Sequence, residues 1–366
     1  MVTRLFLAVL WTGLLGLEGE GSAQTIQLDD VDSGLSSPGG NYRWLDVADQ
    51  EYSTVYRTNY NYTQARVVVN LAASPQPVQG TLLATNLKPN FAYQLKWVGS
   101  SGTAANERIG LAGRYWQEEW SGTSWANGQN LNNKGDGYFP TPNDEAYFSR
   151  RDLADTNSPT GLRYKYTSYL LADYFITDSN GNATVAFQVD SSYHVLWKTS
   201  QQTRGANDGA LKTVTFQAST AQPAYGTNYP QRTVSLFGEW ERLPTGGIQL
   251  RPGEYQCAVV LTEESFHGSG GEYAGGWAAA MAGSIRFRVA PRLAAAVFNG
   301  GRCSFDIADC YVGTTNDVQR CFGLESTNVW QTVFTFVSTN PTTNWSDSAT
   351  SLSGDAFYRV TTRTVP

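Results

Sequence analysis

Residues 87–93 read "LKPNFAY", and the chain runs on as "QLKWV" to residue 98. Pro89 and Asn90 mark a turn. From Phe91 to Val98 apolar and polar residues alternate with period two, the pattern of a strand that buries one face. A shorter version stands at 250–255, "LRPGEY", where Pro252-Gly253 leads into "YQCAVVL" (255–261). Each stretch sets a turn, then a tyrosine, at the mouth of a strand.

The period-two pattern recurs along the chain. It is present in "ARVVVNL" (65–71), "GTLLATNL" (80–87), "TVAFQV" (184–189), "YHVLWKT" (193–199), "KTVTFQA" (212–218), "TVSLFGEW" (233–240) and "SIRFRV" (284–289). Between two such runs, Asp178-Ser-Asn-Gly-Asn182 offers a hairpin turn, with Gly181 able to take a positive φ. Helical periodicity is weak; "YKYTSYLLADYFI" (164–176) fits a helix or a strand equally well. The Leu-x-Pro-x-x-x-Tyr spacing of 87–93 resembles the corner of fibronectin type III and immunoglobulin-like sandwiches. That resemblance implies a tyrosine hydroxyl bonded back to nearby backbone, fixing the crossing between sheets. The expected fold is all-β: an immunoglobulin-like sandwich with long loop insertions, plus a small C-terminal β-sandwich module.

The chain has 366 residues, and its first 23 read as a secretory signal. Arg4 supplies the positive start, Leu5–Leu17 an apolar run too short to span a bilayer, and Ala23 a small cleavage residue. A Gly/Ser/Pro-rich stretch at 24–41 reads as a mobile lead-in. The main domain is expected at 42–290, a linker at 291–302 and a small module at 303–363. Charged residues make up 16% and aromatics 13%, with 36 Gly and 20 Tyr, which suits a β-rich extracellular protein. The net charge of −6 gives no basic field for nucleic acid or anionic lipid. Export permits disulfides among Cys257, Cys303, Cys310 and Cys321. A local bridge is expected among the last three, while Cys257 reads as a buried core thiol.

Residues 303–360 resemble the small sandwich-like modules at the C-termini of many secreted bacterial proteins. The matching residues are Asp317-Val318-Gln319-Arg320-Cys321, Leu324, Trp330-Gln331-Thr332-Val333, Asn344-Trp345-Ser346-Asp347 and Ala356-Phe357-Tyr358-Arg359-Val360. Asn316 stands where that family often has Tyr. The resemblance implies an accessory domain for sorting, display or attachment, with no catalytic residues.

Three constellations could carry function. The first is 113–148, long for a loop and rich in rings. Tyr115, Trp116, Trp120, Trp125 and Tyr138 are interleaved with amides and acids, the makings of a sugar-binding surface. The alternative is a satellite core that fastens the insertion to the sandwich. Asn130, Asn132 and Asp136 supply oxygens suited to Ca²⁺, at a spacing that matches no standard loop. The second is the chain order His194, Cys257, His267, Met281, which is that of cupredoxin copper ligands. Those proteins gather Cys, His and Met on one short loop, and the wide spacing here opposes that reading. Glu263 and Glu264 beside the histidines make a further, weaker metal set. The third is acid pairs for glycoside hydrolysis, with Glu118, Glu119, Asp144, Glu145, Glu239 and Glu241 as candidates in no motif. With two histidines in the chain and no Gly-x-Ser-x-Gly, a serine triad has little to build on.

The reading is a secreted, cell-surface or periplasmic protein that is not an enzyme and needs no cofactor. Its expected partner is a polysaccharide or another cell-surface component, with neither nucleic acid nor membrane insertion. A copper protein and a structural component of an extracellular assembly are the alternatives.

Overall fold

Both tyrosines bond back to their own turns. In the computed structural model the Tyr93 hydroxyl accepts from the Lys88 N–H at 3.0 Å, and the Tyr255 hydroxyl donates to the Arg251 carbonyl at 2.7 Å. Leu87, Phe91 and Leu250 are buried beside them. Two turns separated by most of the main domain therefore use the same device. The structure describes residues 24–31, 60, 62–72, 79–131, 146–188, 195–198, 210–216, 232–238, 250–264, 277–299, 302–322, 329–348 and 356–363.

The fold is all-β and sandwich-like. In chain order the strands of the main sheet are β1 (Gln24–Asp30), β2 (Arg66–Leu71), β3 (Gln79–Thr85), β4 (Ala92–Val98), β5 (Arg114–Trp120), β6 (Trp125–Asn130), β7 (Tyr164–Ile176) and β8 (Ala183–Gln188). β12 (Gly253–Glu264) and β13 (Trp277–Val289) complete it. These ten lie in the order β6-β5-β7-β4-β12-β13-β1-β2-β3-β8. Every pairing is antiparallel. β1 pairs with β2 over Gln24–Leu28 and with β13 at Asp29 and Asp30. One strand thus passes the sheet from one layer to the other. Inward residues of β1–β3 and β8 (Leu28, Val67, Val69, Leu82, Phe187) share a core with Trp97, Tyr255, Val259, Leu261 and Ile285 of the facing layer. Trp97 meets Phe187 edge-on at 5.9 Å between centroids. Burial of such side chains, ~1.5–3 kcal/mol each, is the main force holding the layers together.

Two segments here depart from the sequence reading, and one that it left open is resolved as a strand. Gln24–Asp30, assigned to the mobile lead-in, is strand β1, with Leu28 buried in the core. Its alternation is masked by the Gly/Ser/Pro composition of the residues after it; residues 32–41 lie outside the described residues. The ambiguous 164–176 is strand β7. Ala104–Ala112 is a helix, α1, that the period-two reading passes over. Thr103 caps it, its hydroxyl accepting from the Asn106 N–H at 3.1 Å, and Ile109 joins the core.

Between β8 and β12 lie β9 (Val195–Lys198), β10 (Ala210–Phe216) and β11 (Arg232–Gly238), a separate three-stranded sheet in the order β10-β11-β9. The expected linker is largely a strand, β14 (Arg292–Asn299), paired with β15 (Arg302–Ala308). With β18 (Thr343–Ser346) these form one small sheet, and β17 (Gln331–Val337), β16 (Thr315–Cys321) and β19 (Phe357–Thr362) form another. Phe305, Ile307, Val318 and Tyr358 are buried together, with Trp345 and Phe334 packed against them. Buried Asp347 accepts from the Tyr358 hydroxyl at 2.7 Å and from Arg320 at 2.6 Å. Asn316, also buried, donates to the Ser338 hydroxyl at 2.7 Å and accepts from Thr362 at 2.7 Å. Among the described residues no helix is long and apolar enough to cross a membrane.

Candidate functional site

The aromatic stretch from residue 113 forms the edge of the main sheet. β5 lies between β7 and the edge strand β6, so alternation sorts its side chains onto two faces. Tyr115 and Gln117 point one way. Tyr115 is fully buried, stacked on Tyr147 at 4.1 Å with Tyr166 edge-on. Its hydroxyl donates to the Glu107 carbonyl of α1 at 2.8 Å. Burial pushes the Tyr166 phenol far above its usual value. Tyr115 therefore belongs to a satellite core and not to a binding face.

Trp116, Glu118 and Trp120 point the other way, and all three are half-buried. Register sets Glu118 opposite Lys165 of β7, and their charges meet at 3.0 Å. Trp120 faces Trp125 of β6, their rings edge to face at 5.3 Å. At Gly128 a Cβ would come within 2.4 Å of the Trp116 ring; the glycine lets the indole lie close against β6. The result is a strip: an indole, an ion pair, then a pair of indoles. Its rigid rings offer flat apolar surface, and the carboxylate and ammonium between them offer an acceptor and donors. Lys165 is the residue that sequence reasoning missed. Only strand pairing brings it to this face, and no local signal marks it.

Of the other residues expected here, Asn130 ends β6 opposite Trp116 in register. Asn132, Asp136 and Tyr138 lie outside the described residues, and with them most of the calcium trio. Adjacent acids Glu118 and Glu119 face opposite sides of the sheet, and Glu119 is bound by Arg163 at 2.5 Å. They do not form a catalytic pair. Asp144, Glu145, Glu239 and Glu241 lie outside the described residues.

The copper set does not assemble on its described members. Cys257 pairs with Ile285, and Met281 with Leu261, which separates the two sulfur residues by four positions, roughly 13 Å of strand. Both are buried in the sandwich core, and burial alone pushes the Cys257 thiol up to about 12. His194 and His267 lie outside the described residues. Among the described residues no group of three His, Cys, Asp or Glu is placed to hold a metal.

Glu263 is no surface ligand either. It is buried, with its carboxylate 3.0 Å from the equally buried Lys88 ammonium. Tyr62 donates to the same carboxylate and contacts the Tyr93 hydroxyl at 3.0 Å. The Lys88 ammonium also lies over the Phe91 ring at 4.6 Å. Burial first, then the nearby Glu263 charge, raises the Tyr62 phenol well above its usual value. This network ties β12 to the first tyrosine corner. The side chain of Glu264 lies outside the described residues.

The expected local disulfide is absent: Cys303, Cys310 and Cys321 are buried thiols, as is Cys257. Desolvation raises the thiols of all three C-terminal cysteines, which keeps them poor nucleophiles at neutral pH. Titration with a thiol reagent should find four thiols in denaturant and slow labelling of the native chain. Recovery of fewer in denaturant would establish a bridge.

Comparison of the chain with protein-family models, with curated proteins and with solved structures finds no match.

Proposed function

We propose that this chain is a secreted, non-catalytic binding protein that holds carbohydrate on the Trp116–Trp120–Trp125 face of its main sheet. The observation that supports the reading is the strip itself. Half-buried indoles sit on a paired β-sheet edge around the Glu118–Lys165 ion pair. Sugar CH faces stack on such rings while hydroxyls bond to the charged pair. Because the rings are held by strand pairing, little side-chain freedom is lost on binding. The C-terminal module is read as an accessory unit for attachment or display, as its resemblance implies. The ligand is a polysaccharide or glycan at the cell surface.

Trp120→Ala should weaken retention on a polysaccharide resin by roughly thirtyfold, the scale of a tryptophan hot spot. The thermal midpoint should stay close to that of the parent, because Trp120 is the last residue of β5 and only half-buried. The panel should include cellulose, chitin, xylan and peptidoglycan. Parent protein retained on none of them, or Trp120→Ala retained equally, would remove the reading.

A further inference from the structure

A second feature lies away from the tryptophan face. Among the described residues, five arginines and a single carboxylate line one cleft of about 560 Å³ in a chain whose net charge is −6. They come from separate parts of the sequence. Arg108 lies on α1, Arg151 follows Phe148, Arg251 lies in the second tyrosine corner, Arg288 is near the end of β13, and Arg363 follows β19; Glu107 is the acid. Leu111, Val289 and Phe148 add apolar wall.

Three of the arginines have carboxylate partners. Arg151 meets Glu107 at 3.1 Å, Arg288 meets Glu254 at 3.5 Å, and Arg363 grips Asp317 with a bond of 2.9 Å to each carboxylate oxygen. The other two do not, among the described residues. Arg108 donates to the Glu254 carbonyl and lies over the Tyr255 ring at 5.0 Å, while its Nε is buried without an acceptor. It is seated by Gly253, where φ is +147° and a Cβ would come within 2.6 Å of the guanidinium carbon. Arg251 is half-exposed, and its backbone is held by the Tyr255 hydroxyl. The corner that anchors a strand thus also presents one arginine and packs a second.

We infer that this cleft binds the oxyanion of an acidic organic ligand, a carboxylate or a sulfate ester on a sugar-sized body, with Arg251 and Arg108 as the primary contacts. A planar guanidinium recognises such groups through paired hydrogen bonds. The volume lies in the range of small-molecule sites, ~300–1,000 Å³, larger than a bare ion needs. The apolar wall suits the ligand's body. Ligand bound here would touch α1 and the C-terminal strand together, and so link the two modules.

The test is calorimetric titration of the full mature chain at constant ionic strength. The probes are a uronic-acid disaccharide, a sulfated disaccharide, a neutral disaccharide and inorganic sulfate. At least one acidic disaccharide should bind one-to-one, and the arm that binds distinguishes carboxylate from sulfate. Inorganic sulfate should compete weakly with it. Arg251→Gln should weaken that binding about tenfold or more, as loss of a charge-assisted pair does. Among the described residues Arg251 makes no ion pair, so the variant should fold; Arg108→Gln gives a second reading. Trp120→Ala should leave this binding unchanged, which separates the cleft from the tryptophan face. Binding of neither acidic disaccharide, equal binding of the neutral one by the Trp120→Ala chain, or unchanged affinity in Arg251→Gln would overturn the inference.

Discussion

Glu263→Gln is expected to destabilise the main domain by about 3–5 kcal/mol, the cost of breaking a buried ion pair from one side. The Lys88 and Glu263 side chains are each 1% exposed. With the carboxylate neutralised, the Lys88 ammonium stays in the core beside the Phe91 ring and loses the charge of Glu263. Glutamine keeps the shape and can still accept from Tyr62, so the loss reports charge and not volume. For a domain of this size the thermal midpoint should fall by roughly 10 °C. The double variant Lys88→Met, Glu263→Leu separates this from a packing defect. Replacing both charges by apolar groups removes the desolvation cost on each side, so much of the lost stability should return. Denaturant titration of both variants is the measurement. A single variant within about 1 kcal/mol of the parent would show that the pair carries no net weight.

That pair also marks the limit of what local sequence can reveal. The first corner was legible: Leu87, Pro89 and Tyr93 form a short-range pattern, and Tyr93 makes the expected bond; Tyr255, at a shorter spacing, makes one like it. Strands β2–β4 and β8–β13 were legible from their period, whereas β1, β5, β6 and β14 lay in stretches read as lead-in, insertion and linker. Lys88 in the corner and Glu263 on β12 meet only because β4 and β12 pair in one register, with Tyr93 opposite Glu263. Nothing near either residue announces a burial partner. Lys165 at the tryptophan face is the same case. Tyr115 shows the opposite error. Its neighbour Trp116 is aromatic too and looks alike in sequence, yet one step of alternation sends Tyr115 into a core and Trp116 to the half-open side. The arginine cleft was hidden for both reasons, being assembled from five positions that span most of the chain. The helix α1 is short, and its buried residues Ala105, Ile109 and Leu111 give too little periodicity to stand out among strands.

Gly181→Ala should be nearly as damaging, at roughly 2–4 kcal/mol, from two separable causes. The glycine sits at φ +76°, left-handed backbone in which a Cβ costs ~1–2 kcal/mol. It also touches the corner. An alanine Cβ would come 1.9 Å from the Leu87 carbonyl oxygen, while the Gly181 carbonyl accepts from the Leu87 N–H at 3.0 Å. The turn is held from within by the Asp178 carboxylate, which accepts from Asn180 and Asn182 at 2.8 Å each, so it cannot simply tilt away. It must move as a block, and it carries the contact between Asn90 N–H and the Asp178 carbonyl with it. The strain therefore passes into the segment that positions Tyr93 and Lys88. Gly122→Ala is the control: its φ is +93° and nothing lies within 4 Å of the added Cβ. It bears the backbone cost alone, ~1–2 kcal/mol. The difference between the two variants in denaturant titration measures the clash with Leu87. If they prove equal, the β7–β8 turn and the tyrosine corner are not mechanically joined, and the main sheet tolerates slack where its two layers meet.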